Sequence, residues 1–225
     1  MIKNITNLGD AAVYCDFGNQ IDQETNLNVI KYFKNLKELK IEGITNLTPS
    51  YNKLIVSYDL RKTNFKEVKK LIENLNVNET QDKNNTKIEI PVCCDDQFSL
   101  DIKRLEEKIK KNRDKILKNF FSKEYFCYMT GFIAGMPFLG DLDENMRGPR
   151  LETPRVKVPK GSVALTEQFA NIYTFESPGG WNIIGNTPLD VFDNSKEVEP
   201  NLINPGDTVV FKQINIEEYN SYNDK

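Results

Sequence analysis

Apolar and polar residues alternate over residues 11–17, where Ala11, Val13, Cys15 and Phe17 fall on one side, and this two-residue period predicts a half-buried strand closed by Gly18. The period then changes. Behind Asp22, a residue suited to capping, Leu27, Ile30, Phe33 and Leu36 recur at three-residue steps and predict a helix that ends near Leu39 with one broad apolar face. Pro49 punctuates the next stretch, and residues 54–58 predict a strand. Asn64-Phe65-Lys66-Glu67 then predicts a capping box, opening a helix that bears Phe65, Val68, Leu71 and Ile72. The order β, α, β, β, α describes a small α/β domain over residues 1–80.

Residues 76–86, NVNETQDKNNT, carry too little apolar surface to bury and read as a linker. Beyond it the pattern turns to strands. Ile88, Ile90 and Val92 alternate over 87–92, and one or two helices follow within 99–119, with Ile102, Leu105 and Ile109 on one face. Short strands are then predicted over 125–129, 162–165, 171–175, 181–184 and, after the turn Pro205-Gly206-Asp207, over 208–214. Many short strands with such punctuation predict a barrel or sandwich over 87–225.

The stretch 131–192 uses glycine, proline and aromatic residues where a core segment would use leucine. Gly131, Gly135, Gly140 and the pair Gly179-Gly180 permit positive φ or close approach of the backbone to a ligand or a neighbouring strand. Arg150 and Arg155 each follow a proline, Pro149 and Pro154, whose fixed φ limits the directions of the chain behind each guanidinium. Such forks suit carboxylate or phosphate oxygens. The same residues also fit a purely structural reading, with glycines in hairpin turns, prolines ending edge strands and arginines in intramolecular ion pairs.

Several chemistries are closed to this chain. It contains no histidine, which excludes Ser-His and Cys-His nucleophiles and any zinc site that uses histidine. Cys15, Cys93, Cys94 and Cys127 lack C-x-x-C spacing and read as reduced, buried thiols. There is no G-x-x-x-x-G-K-[ST] phosphate loop and no dinucleotide fingerprint. A net charge of −3 with mixed signs gives no footprint for nucleic acid, and the lysine-rich run 103–118 reads as a solvated helix face. The amino terminus lacks the apolar run of a signal peptide, and nowhere do about 18 apolar residues follow one another. The expected location is the cytoplasm, with no membrane partner.

Specific motifs narrow the reading further. LGDAAVYCDFGNQID at 8–22, Pro49-Ser50-Tyr51 leading to the strand that ends at Tyr58, IEIPVCCDDQF at 88–98, the stretch 131–192 with its ending SPGGWNIIGNTPLDVF, and Asn204-Pro205-Gly206-Asp207 occur in order. Together they resemble the family that includes the B component of bacterial 5-oxoprolinase, allophanate hydrolase subunit 1 and an inhibitor of a sporulation histidine kinase, the carboxyltransferase subdomain C and D family. The resemblance implies an α+β protein: a small ferredoxin-like α/β domain over 1–80, then a cyclophilin-like β-barrel over 87–225. It also implies a partner, a second barrel subunit resembling the C component of 5-oxoprolinase, and an ATP-dependent opening of 5-oxoproline to glutamate.

A lactam is a poor electrophile. The family's reaction uses ATP, with magnesium, to phosphorylate the lactam oxygen, and a developing oxyanion calls for fixed donors in a dry site. On that reading Arg150 and Arg155 are catalytic. Gly131, Gly135, Phe138, Gly140, Pro149, Pro154, Ser177, Pro178, Gly179, Gly180 and Trp181 bind the substrate or nucleotide, and no metal ligand is expected from the chain itself. Ser177 has no histidine to activate it and reads as a turn former, and Trp181, the only tryptophan, reads as a pocket wall. The chain departs from the family at Phe120, where relatives carry histidine, at Gly148, where they carry threonine, in G-F-I-A-G-M at 131–136, and at Phe169, where a glutamine is expected and Gln168 stands one place off. The departures at Phe120 and Phe169 favour an alternative, a kinase-binding regulator without chemistry, whereas the retained Pro-Arg pairs and SPGGW favour the enzyme; a third reading, a subunit of the allophanate and urea carboxyltransferase type, would need a separate biotin carrier.

Overall fold

The computed structural model describes residues 1–77 and 86–222, and the chain divides into two compact units, Met1–Asn84 and Asn85–Lys225. Most of the stretch read as a linker lies outside the described residues. In the first unit β1 (Asn4–Asn7), β2 (Ala12–Asp16), β3 (Ile44–Pro49) and β4 (Lys53–Tyr58) form an antiparallel sheet in the order β1-β2-β4-β3. Helix α1 (Gln23–Leu39) follows β2, and α2 (Phe65–Glu73) follows β4. The sequence pattern does not reveal β1, because its one apolar residue, Ile5, is too short a run to show a period.

Val13 and Cys15 of β2, Leu54 and Val56 of β4, Val29 and Leu36 of α1, and Val68 and Ile72 of α2 make the core of this unit. Burying each aliphatic side chain of this size contributes about 1.5–3 kcal/mol, which is why the alternating strands and the helical stripes face one another. The helix starts follow the predicted caps. Asp22 accepts the Thr25 amide at 2.7 Å, and Asn64 accepts the Glu67 amide at 3.2 Å. Only half of the box at Asn64 forms, since the Glu67 carboxylate takes the Thr63 hydroxyl at 2.9 Å instead.

The second unit contains β5 (Lys87–Cys93), α3 (Ile102–Ile109), α4 (Arg113–Phe121), β6 (Glu124–Thr130), β7 (Pro137–Gly140), β8 (Arg155–Val158), β9 (Ser162–Thr166), β10 (Phe169–Ile172), β11 (Ser177–Gly179), β12 (Asn182–Asn186), β13 (Thr208–Ile214) and α5 (Ile216–Ser221). Seven of these strands close a barrel in the order β10-β7-β6-β13-β5-β12-β9. β13 runs parallel to β5, with Phe211 opposite Ile90, so the last strand joins the first and removes two open edges. β8 and β11 pair only with each other, as a separate ribbon. The α+β architecture with a barrel is the one expected.

Two differences from the sequence pattern matter for the site. The strand expected over 171–175 runs over Phe169–Ile172, because Glu167 at φ 47 makes a tight hairpin that already pairs Phe169 with Thr166. Ala170 and Ile172 therefore face the barrel core, and Phe169 and Asn171 face the other way. The short strands β7, β8 and β11 do not show in the pattern, because each is three or four residues long and holds or adjoins a proline. A reciprocal capping box also closes at Asn215 and Glu218, starting α5.

Candidate functional site

Asp101 immediately precedes α3 but makes no side-chain cap there. Its carboxylate turns to Arg155 at the start of β8, accepting two guanidinium N–H groups at 2.9 and 2.7 Å, and one of its oxygens also accepts the Ile183 amide of β12 at 2.8 Å. Asp101 is 4% exposed and the Arg155 side chain 30%, so the pair is shielded and its geometry is bidentate. The Arg155 fork is thereby occupied. It ties the β8–β11 ribbon to α3 and β12, which is a positioning role.

Arg150 is placed differently. Arg104 of α3 donates to the Pro149 carbonyl at 3.1 Å and to the Arg150 carbonyl at 3.0 Å, and the Asn182 amide donates to the Pro149 carbonyl at 3.1 Å. Arg104 also donates to the Asn182 side-chain oxygen. The loop is thus held by its backbone. The Arg150 guanidinium is exposed and makes no hydrogen bond or ion pair among the described residues. Its direction is set less by the preceding proline than by Arg104 and Asn182, which lie far off in the chain.

Both arginines act on one buried phenol. Tyr173 lies just beyond β10 and is 1% exposed. A Cβ on Gly179 would stand 2.1 Å from its hydroxyl oxygen, so only glycine lets β11 approach this closely. Burial pushes the Tyr173 phenol above the ordinary range, while the Asn171 side chain, the Trp181 backbone amide and the positive charges of Arg150 and then Arg155 pull it back down. Trp181 itself meets Phe138 edge to face, with ring centroids 5.5 Å apart, and Pro154 lies against Gly180. Asn171 and Ser177 are both buried, and the side-chain oxygen of each lacks a hydrogen-bond partner within the described protein.

The structure thus links Arg150, Arg155, Gly179, Trp181 and Phe138 through Tyr173 and its neighbours. Pro149, Pro154 and Gly180 frame the group, Ser177 faces inward from β11, and Pro178 points to solvent. Gly131, Gly135 and Gly140 have other partners. The Gly131 amide donates to the Met136 carbonyl at 3.0 Å, Gly135 at φ 70 lies against the Phe192 ring, and Gly140 lies against Tyr128 and Phe169. Asn171, Tyr173, Asp101 and Arg104 were not singled out in the sequence. An asparagine inside a strand of otherwise apolar residues was the one available signal.

Positions of departure from the family resolve simply. Phe120 is fully buried, stacked on Phe211 at 4.7 Å and beside Tyr125 at 5.3 Å, so it belongs to the barrel core. Gln168 donates to Asp141 at 3.4 Å. All four cysteines are free and buried, and burial pushes the Cys15 and Cys94 thiols up to about 12, too high for a thiolate nucleophile at neutral pH. An open groove of about 520 Å³ in the first unit, lined by residues that include Phe33, Lys37, Lys40 and Leu47, brings no such constellation of groups together.

Among the described residues no helix is long and apolar enough to cross a membrane, and no group of three or more carboxylate, cysteine or histidine side chains gathers to hold a metal ion. The chain is 30% identical over 233 residues to the B component of 5-oxoprolinase from Bacillus subtilis (strain 168), covering 98% of this chain and 97% of that one. It is 32% identical over 213 residues to the protein of the same name from Haemophilus influenzae, covering 92% and 96%. The crystal structure of TTHA0988 superposes with a TM-score of 0.82 at 28% identity over 91% of this chain, which spans 40% of that longer one. The carboxyltransferase domain family, subdomain C and D, matches residues 3–203, and the chain belongs to that family.

Proposed function

We propose that this chain is a subunit of an ATP-dependent hydrolase that opens 5-oxoproline to glutamate, working with a second barrel subunit. The observation that carries the reading is Arg150: an unpaired guanidinium on a loop fixed by Arg104 and Asn182, beside a buried neutral phenol, in a chain alike over almost its whole length to proteins named as the B component of 5-oxoprolinase. A guanidinium held ready before the reaction stabilises an oxyanion or a carboxylate without reorganising.

ATP supplies the activation of the lactam oxygen. Arg150 is the group of this chain suited to the resulting negative charge, and Arg155, through Asp101, keeps the ribbon and Gly179 in place over Tyr173. Magnesium, where the reaction uses it, would come with the nucleotide's phosphates. The test is ATP-dependent release of glutamate from 5-oxoproline by the chain assembled with its partner. Activity that needs both subunits supports the proposal, and a fully assembled complex without glutamate release overturns it.

A further inference from the structure

The floor beneath Arg150 holds more polar groups than the fold requires. Asn171 is fully buried, its side-chain oxygen has no partner, and its nitrogen meets only the Met136 sulfur at 4.0 Å and the Tyr173 phenol. Turning the amide over would exchange an unpaired acceptor for an unpaired donor and leave the site no better satisfied. Ser177, 8% exposed, has an unpartnered hydroxyl. Buried polar groups are nearly always paired, so an orphan against the phenol and a second on the strand that packs over it point to a molecule that pairs them.

The arrangement is specific. Asn171 and Tyr173 lie two residues apart on one face of the chain, and Ser177 and Gly179 are the inward positions of β11, with Gly179 against the Tyr173 hydroxyl. The Asn171 acceptor and the Tyr173 hydroxyl therefore stand together, with the Ser177 hydroxyl two residues before the glycine that packs on that phenol. A lactam presents its N–H and its C=O on the same edge of the ring, whereas an open-chain secondary amide in the usual trans form presents them on opposite edges. An acceptor beside a donor fits the first and not the second. A carboxylate attached to the ring would then reach the free Arg150 guanidinium above.

We infer that Asn171, Tyr173 and Ser177 form a polar floor that receives the lactam edge of a small carboxylated ring, with Arg150 taking its carboxylate. The inference deepens the proposed hydrolase reading and rests on it for the identity of the ring. β8 and β11 pair with no other strand, and the Arg155–Asp101 pair tethers this ribbon beside Tyr173.

The experiment compares the full chain, assembled with its partner, with Asn171→Leu and Ser177→Ala in the same assembly. Binding of 5-oxoproline and of N-acetylglycine, an open-chain amide that also carries a carboxylate, is measured by calorimetry, and thermal midpoints and glutamate release are recorded alongside. The floor predicts that 5-oxoproline binds at least tenfold more tightly than N-acetylglycine, and that each variant loses at least tenfold in lactam affinity or KM. It also predicts a thermal midpoint for Asn171→Leu equal to or above that of the parent, since an orphaned polar group gives way to an apolar one. A purely structural asparagine predicts the reverse, a lowered midpoint with unchanged affinity.

If glutamate is released with the same KM by parent and both variants, the floor is wrong and the hydrolase reading stands. If no glutamate is released but Asn171-dependent binding of the lactam is found, the floor stands and the hydrolase reading falls. Equal binding of the two ligands overturns the lactam selectivity. Should Asn171→Leu fail to fold, Ser177→Ala decides the matter, because it removes one oxygen and adds no bulk.

Discussion

Arg155 grips the Asp101 carboxylate with both arms of its guanidinium, at 2.9 and 2.7 Å, across 54 residues of chain. Arg150, in the same proline-rich loop and in the same Pro-Arg context, leaves its own guanidinium to solvent. Two residues that look alike in sequence therefore divide the work, one holding the ribbon in place and one remaining available to an anion.

Arg155→Ala strands a buried carboxylate that keeps only the Ile183 amide, and breaking a shielded pair in this way costs about 3 kcal/mol. Arg155→Lys recovers little of this, because an ammonium cannot make two parallel bonds. Urea unfolding of the three proteins checks the order. An Arg155→Ala midpoint equal to the parent's would show that the pair contributes nothing.

Arg150→Ala behaves oppositely. Its urea midpoint is expected to match the parent's, since the loop is held through the carbonyls of Pro149 and Arg150. Glutamate release by the assembled complex is expected to fall by about 10²–10³, the usual loss for one oxyanion donor. Full activity in this variant removes Arg150 from the site.

Adjacent glycines separate packing from turn geometry. Gly179→Ala drives a methyl to 2.1 Å from the Tyr173 hydroxyl and is expected to destabilise by about 1–3 kcal/mol, as overpacking does. Gly180→Ala meets Pro154 at 3.5 Å, an ordinary contact, and its thermal midpoint should stay close to the parent's. Equal midpoints for the two variants would contradict the close approach of β11 to Tyr173.

Alkaline conditions should unfold the protein progressively. Cys15 and Cys94 are pushed up to about 12 by burial, above the unfolded value of about 8.5. A raised folded value means that the stabilisation is complete below about pH 8.5 and is lost as pH rises from there toward 12, because the unfolded chain releases its thiol protons first. Urea midpoints measured from pH 8 to 11 should fall, and Cys15→Ala should flatten the slope for the first unit. A flat profile in the parent contradicts the shifts.

Trp181, the lone tryptophan, reports on the site directly because its ring meets Phe138 and its backbone amide faces Tyr173. Saturating 5-oxoproline is expected to change its emission in the parent and to leave that of Arg150→Ala unchanged at the same concentration. An identical response from both proteins would place the ligand away from Arg150.

Local rules explain why much of the fold was readable. The helix starts at Asp22 and Asn64 depend on a side chain three residues from the amide it caps, and the strands Lys53–Tyr58 and Thr208–Ile214 depend on a period of two. Strands β7, β8 and β11 were not readable, since each is three or four residues long and holds or adjoins a proline. Phe120 shows the same limit at the site. It looks like the loss of a functional side chain when aligned by motif, yet it is a stacked core ring.

The sequence by itself determined the family, the succession of elements, the absence of histidine chemistry and the stretch of chain in which the site would lie, because each of these depends on neighbouring residues or on composition. Only the tertiary structure decided which arginine is free, that Tyr173 lies beneath Gly179, and that Asn171 and Ser177 are left unpaired. Those outcomes are set by partners such as Asp101 and Arg104, which approach the loop across 45 or more residues. A charge or a buried hydroxyl has no fixed role until the folded chain has supplied, or withheld, its partner.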